Sequence, residues 1–436
     1  AGREHGARVL GETSGKNALV VTPSADLDLA VADLVSSAFG HAGQKCSAAS
    51  LGILVGSVAD SERFRRQLVD AVESIAVGWP ADLGTRMGPV IEVPSGKLLR
   101  ALTTLEPGER WLVQPRRLDD TGRLWSPGVK DGVRPGSFFH LTEVFGPVLG
   151  LMRADSLDEA LELQNATAFG LTGGLHSLDE EEIERWTEAV EVGNAYVNRH
   201  ITGAIVRRQS FGGWKASSIG PGAKAGGPNY VAQLGTWSAD GLPTKGASVA
   251  SAVRATVDAQ LAGLGDTVTD EERAWLESAL ASDAAAWAGE LGVEHDESAL
   301  VVETNVFRYR PHPRVLVRAG AGARPVEVLR LVAAATLTRA RVVVSADPSL
   351  DLPASLGHVQ VVTEDEAACL VRARATADER VRAIGEVPPT LVDDLVAGGV
   401  DVITGEVLAT GRRELLPFVR EQAVSTTRHR FGHVAG

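Results

Sequence analysis

Cysteine is nearly absent from this chain: two residues, Cys46 and Cys369, in 436. Two cysteines cannot build a disulfide framework, and so sparse a use of thiol points to a reducing, cytoplasmic setting. Long apolar runs are also missing, which excludes a membrane-spanning helix, and no signal-peptide pattern opens the sequence. Positive charge is in deficit. The formal net charge of -13 argues against a generic nucleic-acid binder. No Cys-x-x-Cys or His-x-x-x-His spacing occurs, so a resident metal is not expected. Methionine is found twice, neither time at position 1, and the opening residues Ala1–Gly6 read like the middle of a longer chain. What remains is ordinary for a soluble globular protein, with 44% hydrophobic and 23% charged residues. The length allows two to three domains.

Taken in order, apolar segments alternate between strand and helix patterns. Ala7–Glu12 reads as a short strand, 13–17 as a turn and Ala18–Thr22 as a buried strand. Asp26 closes a helix-start signal, and the apolar spacing from Leu27 to Ala38 predicts an amphipathic helix leading to Cys46. A strand over 51–55, a helix over 61–75, a strand at 148–152 and a helix over 156–165 follow. Ser156 is the expected N-cap of that helix, with Glu159 completing a capping box. Strands at 173–176 and 194–197 flank a charged helix over 179–190. The class is α/β. Residues 211–230 are rich in glycine but also carry aromatics and lysines, which predicts an ordered loop. From Ala250 on, strands at 315–319, 341–345, 358–362, 381–384 and 400–403 alternate with helices, including one over 325–338. That is the pattern of a nucleotide-binding fold. The tail 415–431 reads as basic and amphipathic.

Cys46 follows a helix broken by Gly40 and Gly43. A free thiol is more often a buried structural residue, but a thiolate displayed past such a break can attack a carbonyl and leave a thioester. It needs a lowered pKa or a nearby base. Glu12, before the turn Thr13–Gly15, can supply one, although a carboxylate there can equally be a solvated surface group. No His/Asp set suited to a cysteine protease accompanies Cys46. Cys369, among Ala367, Ala368 and Leu370, reads as core.

Three motifs in order, Glu12–Asn17 (ETSGKN), Gly43–Ala48 (GQKCSA) and Glu143–Pro147 (EVFGP), resemble the aldehyde dehydrogenase superfamily, and the resemblance runs from Glu12 to about Trp237. It implies an aldehyde dehydrogenase catalytic domain. Cys46 would attack the aldehyde carbon, hydride would pass to NAD, and Glu12 would activate the water that hydrolyses the thioester. The Cys46 backbone N–H would stabilise the oxyanion. Glu143 would hold the nicotinamide-side ribose, and Phe145 would pack near the nicotinamide.

Residues 198–215 and 220–230 resemble the glutamate-γ-semialdehyde (pyrroline-5-carboxylate) dehydrogenases, and more particularly the aldehyde dehydrogenase half of the bifunctional proline utilization A enzymes. This implies oxidation of L-glutamate γ-semialdehyde to L-glutamate in proline catabolism. The substrate carboxylate would be held by Ser47, Gly203 and Ala204, with Phe211 on the aliphatic part. Gly203 can also be a plain turn glycine and Phe211 a core aromatic. Residues 307–312 and 415–425 resemble the extra C-terminal domain of the longer proline utilization A proteins, which looks like an NAD-binding fold and is thought to serve assembly and channel closure. The G-x-G of Arg318–Pro325 lacks its third glycine and is expected to be a structural turn.

The expected organisation is therefore the last strand of a truncated NAD-binding domain (1–12), the catalytic domain (13–227), a connector that could pair subunits (228–249) and a second Rossmann-like α/β domain with its amphipathic tail (250–436). The N-terminal NAD-binding domain is expected to be largely missing. So is an asparagine that completes the oxyanion hole in the family. The polypeptide alone is then expected to bind NAD poorly and to turn over little, which NADH formation from glutamate semialdehyde by the isolated chain would contradict. FAD enters only if a proline dehydrogenase domain stood upstream. Expected partners are the small aldehyde substrate and either a second copy or a proline dehydrogenase domain. Ser14 replaces a usual glycine and Ser210 a usual proline, both near the expected site. A non-catalytic remnant or assembly module of the same fold is the alternative.

Overall fold

The computed structural model describes residues 9–206, 208–375, 380–430 and 433–434. They form two compact units. One contains Glu12–Ser218, Asp296–Val306 and the chain from Ala423 on. The other contains Ile219–His295, Phe307–Gln422 and the residues up to Gly11.

The first unit is organised by a largely parallel sheet. Its central strands are Thr172–His176, Asn17–Val21, Ala49–Val55 and Val148–Ala154, in that spatial order. Gly128–Asp131 continues the sheet in parallel, and Arg110–Val113 closes that edge in antiparallel pairing. Every residue of Asn17–Val21 is buried. Alternation explains why: Ala18 and Val20 enter one apolar cluster, Leu19 and Val21 the other. A sheet covered on both faces needs such unbroken apolar strands.

Helix Leu27–Phe39 covers one face, its first amides capped by the Asp26 carboxylate. Helix Glu62–Glu73 is capped by Ser61 and buries Phe64, Leu68 and Val72 at the spacing expected of one helix face. Ser156 caps helix Leu157–Asn165 as expected. The capping box does not close, because the Glu159 carboxylate accepts the Asp155 N–H at 2.6 Å instead of that of Ser156.

In the second unit, strands Val359–Thr363, Val342–Ala346, Val315–Ala319, Arg380–Ile384 and Asp401–Ile403 form a parallel sheet in that order, with Ser355–Leu356 antiparallel at the edge. This is a Rossmann-like order with its switch point between Val315–Ala319 and Arg380–Ile384. Helix Pro325–Thr338 has the expected bounds and is buried along most of its length.

The chain itself closes that switch point. Gly320 N–H donates to Ile384 O at 2.9 Å and Glu386 N–H to Ala321 O at 2.8 Å. A Cβ on Gly320 would lie 2.1 Å from Glu386 O. The Gly320–Gly322 sequence is thus a packed turn.

Two expectations change. The tail is not an amphipathic surface element. Val419–Thr427 is a strand, buried from Glu421 to Ser425, and Ala423–Thr426 pair in parallel with Asn194–Val197. Apolar Ala423 and Val424 fit a covered sheet position, and the basic residues concentrate past it. Phe431 lies outside the described residues.

The boundary at 250 is also incomplete, because Asp296–Val306 and the chain from Ala423 on belong with the first unit. Strand pairing at its sheet edge draws them there. The stretch 228–249 forms no strand within the chain itself. Val231–Leu234 is a single 3₁₀ turn, fastened by Asn229, whose Nδ2 donates to the Tyr309 hydroxyl at 2.9 Å and to Glu421 at 2.7 Å. Of the expected strand Ala7–Glu12, Gly11–Glu12 is present, and Ala7 and Arg8 lie outside the described residues.

Candidate active site

The turn carrying Cys46 begins where helix Leu27–Phe39 stops. His41, Ala42 and Gly43 adopt successive left-handed conformations, with φ of 54°, 55° and 66°. For His41 and Ala42 this costs about 1 kcal/mol each or more, and such strain persists where surrounding contacts over-determine the backbone. Those contacts are present. A Cβ at Gly43 would sit 2.3 Å from Gly146 O, so only glycine lets the turn approach the Glu143–Pro147 segment this closely. Gln44 ties the turn to that segment and to a further one, its Nε2 donating to Phe145 O at 3.1 Å and its Oε1 accepting the Ile91 N–H at 2.9 Å.

Cys46 is half-buried. Burial pushes its thiol above the ordinary value. The Glu12 and Glu143 carboxylates push it further, while the Ser47 and Cys46 backbone N–H groups pull it down. The thiol therefore rests protonated at neutral pH. Both expected carboxylates are thus electrostatic neighbours of the expected nucleophile. Glu12 accepts the Gly213 N–H at 2.6 Å, which also draws in the loop bearing Phe211. Glu143 Oε1 accepts the Gly15 N–H at 3.0 Å. Buried Tyr196 feels the thiol too, and burial pushes its hydroxyl up to about 12, so it stays neutral.

The loop 201–213 is fixed at several points. Ile201 N–H donates to Ser37 on the lead-in helix at 3.0 Å. Asn194 holds Ser210 O and the Gly212 N–H. Gln209 holds the Ile205 N–H and donates to Asn305. Gly203 has φ 78°, and among the described residues neither its N–H nor that of Ala204 donates a hydrogen bond. Gly203 is exposed and Ala204 half-buried, so both amides are open to water or a ligand. Arg207, within the loop, lies outside the described residues. Ser47 is buried beside Cys46. Phe211 is half-buried. Among the described residues, no hydrogen bond joins Ser47, Gly203, Ala204 and Phe211 to one another.

Residue-level reading of the sequence passed over Lys16. It is buried, and its Nζ has no hydrogen-bond partner among the described residues. It lies 4.2 Å from the centre of the Phe139 ring, which Lys130 flanks at 5.1 Å. Burial lowers its pKa from 10.5 to about 7. The Glu143 charge opposes that shift, Lys130 adds to it and Glu109 opposes it. Below about 7 Lys16 is charged in both folded and unfolded chain, and above 10.5 in neither. Between these limits only the unfolded chain holds the proton, so stability rises with pH, by up to about 1.4 kcal/mol per unit. Lys16→Met should remove this rise. Urea unfolding between about pH 7 and pH 9 should show the variant's gain over the unaltered chain shrinking as pH increases, and a constant difference would contradict the burial of a charged amine.

Among the described residues, no group of three or more His, Cys, Asp or Glu is arranged to hold a metal, and no helix is long and apolar enough to cross a membrane. Cys369 is buried within the second unit, as expected of a core thiol.

The site thus places a half-buried cysteine beside two carboxylates on an α/β domain, and comparison with known proteins supplies the family. Residues 1–236 match the aldehyde dehydrogenase family, and the chain belongs to that family. It is 40% identical over 225 residues to the 1-pyrroline-5-carboxylate dehydrogenase of Geobacillus sp. (strain WCH70), covering 51% of this chain and 43% of that protein. A 1-pyrroline-5-carboxylate dehydrogenase 2 of Bacillus subtilis (strain 168) is 38% identical over 232 residues, covering 53% and 44%. Among solved structures, Proline Utilization A (PutA) from Corynebacterium freiburgense superposes with a TM-score of 0.83 at 51% identity, covering 98% of this chain and 40% of that one. The chain thus spans less than half the length of these relatives.

Proposed function

We propose that this chain carries the catalytic centre for NAD-dependent oxidation of L-glutamate γ-semialdehyde, the open form of 1-pyrroline-5-carboxylate, to L-glutamate. The observation that carries this reading is the half-buried Cys46 flanked by the Glu12 and Glu143 carboxylates. Cys46 Sγ gives up its proton to solvent and bonds to the aldehyde carbon, while the carbonyl π electrons move to oxygen. The Cys46 N–H meets the developing oxyanion. Bound NAD, its nicotinamide end held by Glu143 and Phe145, would supply the hydride acceptor, and loss of hydride from that carbon would leave a thioester on Cys46 Sγ. Glu12 then takes a proton from water, the hydroxide adds to the thioester, the C–S bond breaks, and the thiol recovers its proton.

The residues present suit the nicotinamide end of the cofactor. Glu143 is half-buried and held by the Gly15 N–H, which fits a carboxylate accepting from ribose hydroxyls. Phe145 stands in a left-handed backbone position, its carbonyl fixed by Gln44, which fits an aromatic ring against the nicotinamide. The undirected N–H groups of Gly203 and Ala204, together with Ser47, suit a substrate carboxylate. Phe211 suits its methylenes. The likeness to a Proline Utilization A supports placing this step in proline catabolism, in association with a proline dehydrogenase domain.

The substrate class can be tested without cofactor. L-glutamate γ-semialdehyde should protect Cys46 from alkylation at a concentration at least about tenfold lower than butanal does, since a charge-assisted carboxylate contact is worth about 1.5–3 kcal/mol. Ala204→Pro, which deletes one donor, should erase most of that preference. Equal protection by both aldehydes would contradict recognition of an acidic substrate.

A further inference from the structure

Three successive carbonyls of the Cys46 turn are held by two residues from elsewhere in the sheet. Asn17 Nδ2 donates to Cys46 O at 2.8 Å and to Ala48 O at 2.9 Å. Thr172 Oγ1 donates to the carbonyl between them, Ser47 O, at 3.3 Å. The two holders are themselves joined, because the Thr172 N–H donates to Asn17 Oδ1 at 3.1 Å. Both side chains are only 2% exposed, so water does not compete for these bonds.

The backbone is shaped to permit this. Asn17 begins its strand at a register shift, pairing opposite Ala49 while Ala18 pairs opposite Leu51. A bulge of this kind re-aims a side chain, and here the Asn17 carboxamide turns back under the nucleophile. Two residues earlier, a Cβ on Gly15 would fall 2.7 Å from both Cys46 O and Asn17 Oδ1, so no side chain fits where the carboxamide meets the turn.

We propose that Asn17 and Thr172 are positioning residues for the nucleophile, fixing the peptide planes of residues 46–48 so that the Cys46 and Ser47 N–H groups face the Cys46 sulfur while the Ala48 N–H closes the turn on Lys45 O at 3.0 Å. In a planar trans peptide the C=O and the following N–H point in opposite directions. A donor that pins the Cys46 carbonyl into the sheet therefore directs the Ser47 N–H outward, towards the site. That N–H and the Cys46 N–H are the groups that favour the thiolate against burial and two carboxylates. Without the clamp the turn can rotate its amides away, and the sulfur loses the stabilisation it has. This rests on the reading of Cys46 as the nucleophile.

The test is alkylation of the full chain by iodoacetamide across pH, with Cys46 and Cys369 followed separately by peptide mass. Asn17→Ala should slow Cys46 several-fold near about pH 8 and raise the midpoint of its pH profile by about one unit. Thr172→Val should produce a smaller shift in the same direction, and it carries the test if Asn17→Ala does not fold. Asn165→Ala is the control: it removes bonds to Ala189 O and the Glu191 N–H in the same unit, and should lower the melting temperature without moving the Cys46 profile. A Cys46 profile unchanged in both Asn17→Ala and Thr172→Val overturns the clamp. A Cys46 that reacts no faster than Cys369 in the unaltered chain overturns the nucleophile reading, and the clamp with it.

Discussion

Replacing Cys46 by alanine is expected to abolish hydrolysis of an activated ester such as p-nitrophenyl acetate, with a loss on the order of 10³-fold or more. The reaction needs no cofactor. Sγ attacks the ester carbonyl, the C–O bond to nitrophenolate breaks, and the acyl group rests on sulfur until water removes it. The other thiol cannot substitute, since Cys369 is fully buried in an apolar cluster of the other unit. The substitution deletes one half-buried atom at a turn held by other groups, so the melting temperature should move by only a few degrees. Rapid-mixing measurement of nitrophenolate should show a burst in the unaltered chain and none in Cys46→Ala. A burst of equal size in both would remove Cys46 from the chemistry.

Glu12→Gln should separate the two halves of the same reaction. Glutamine is nearly isosteric and retains an oxygen to accept the Gly213 N–H now bonded to Glu12, but it cannot take a proton from water. Steady-state ester hydrolysis should fall about 10²- to 10³-fold, the range of a lost general base, while the burst keeps its amplitude. Alkylation of Cys46 should not slow. The Glu12 charge is one of the influences that raise the thiol's pKa, so its removal eases ionisation and should speed alkylation somewhat below the midpoint. Opposite signs in the two assays are the signature of a base that serves the hydrolytic water. A parallel fall in both would mean that Glu12 serves the thiol instead.

Much of the fold was legible because parallel strands covered on both faces leave unbroken apolar runs, as in Asn17–Val21, and because capping residues such as Asp26 and Ser61 announce their helices. The tail is harder to read: Val419–Thr427 (VREQAVSTT) has neither an unbroken apolar run nor a clean alternation, and only its pairing with Asn194–Val197 shows that it is a covered strand. At the site, Cys46, Glu12 and Glu143 stood in contiguous motifs that chemistry could interpret. Lys16 and Asn17 lay inside one of those motifs, but burial and bond partners gave them meaning. Thr172 carried no sequence signal at all, since its link to Ser47 spans 125 positions. Long-range hydrogen bonds of this kind leave no periodicity to detect.

The most direct measurement is to mix Glu12→Gln with p-nitrophenyl acetate, quench during the slow phase and map the acyl group by peptide mass. One acetyl group per chain, on the peptide that contains Cys46 and removable by hydroxylamine as a thioester is, is the predicted result. Acetyl on Cys369 or on lysines alone, or no acylated peptide despite nitrophenolate release, would contradict a Cys46 nucleophile whose thioester is cleared by Glu12.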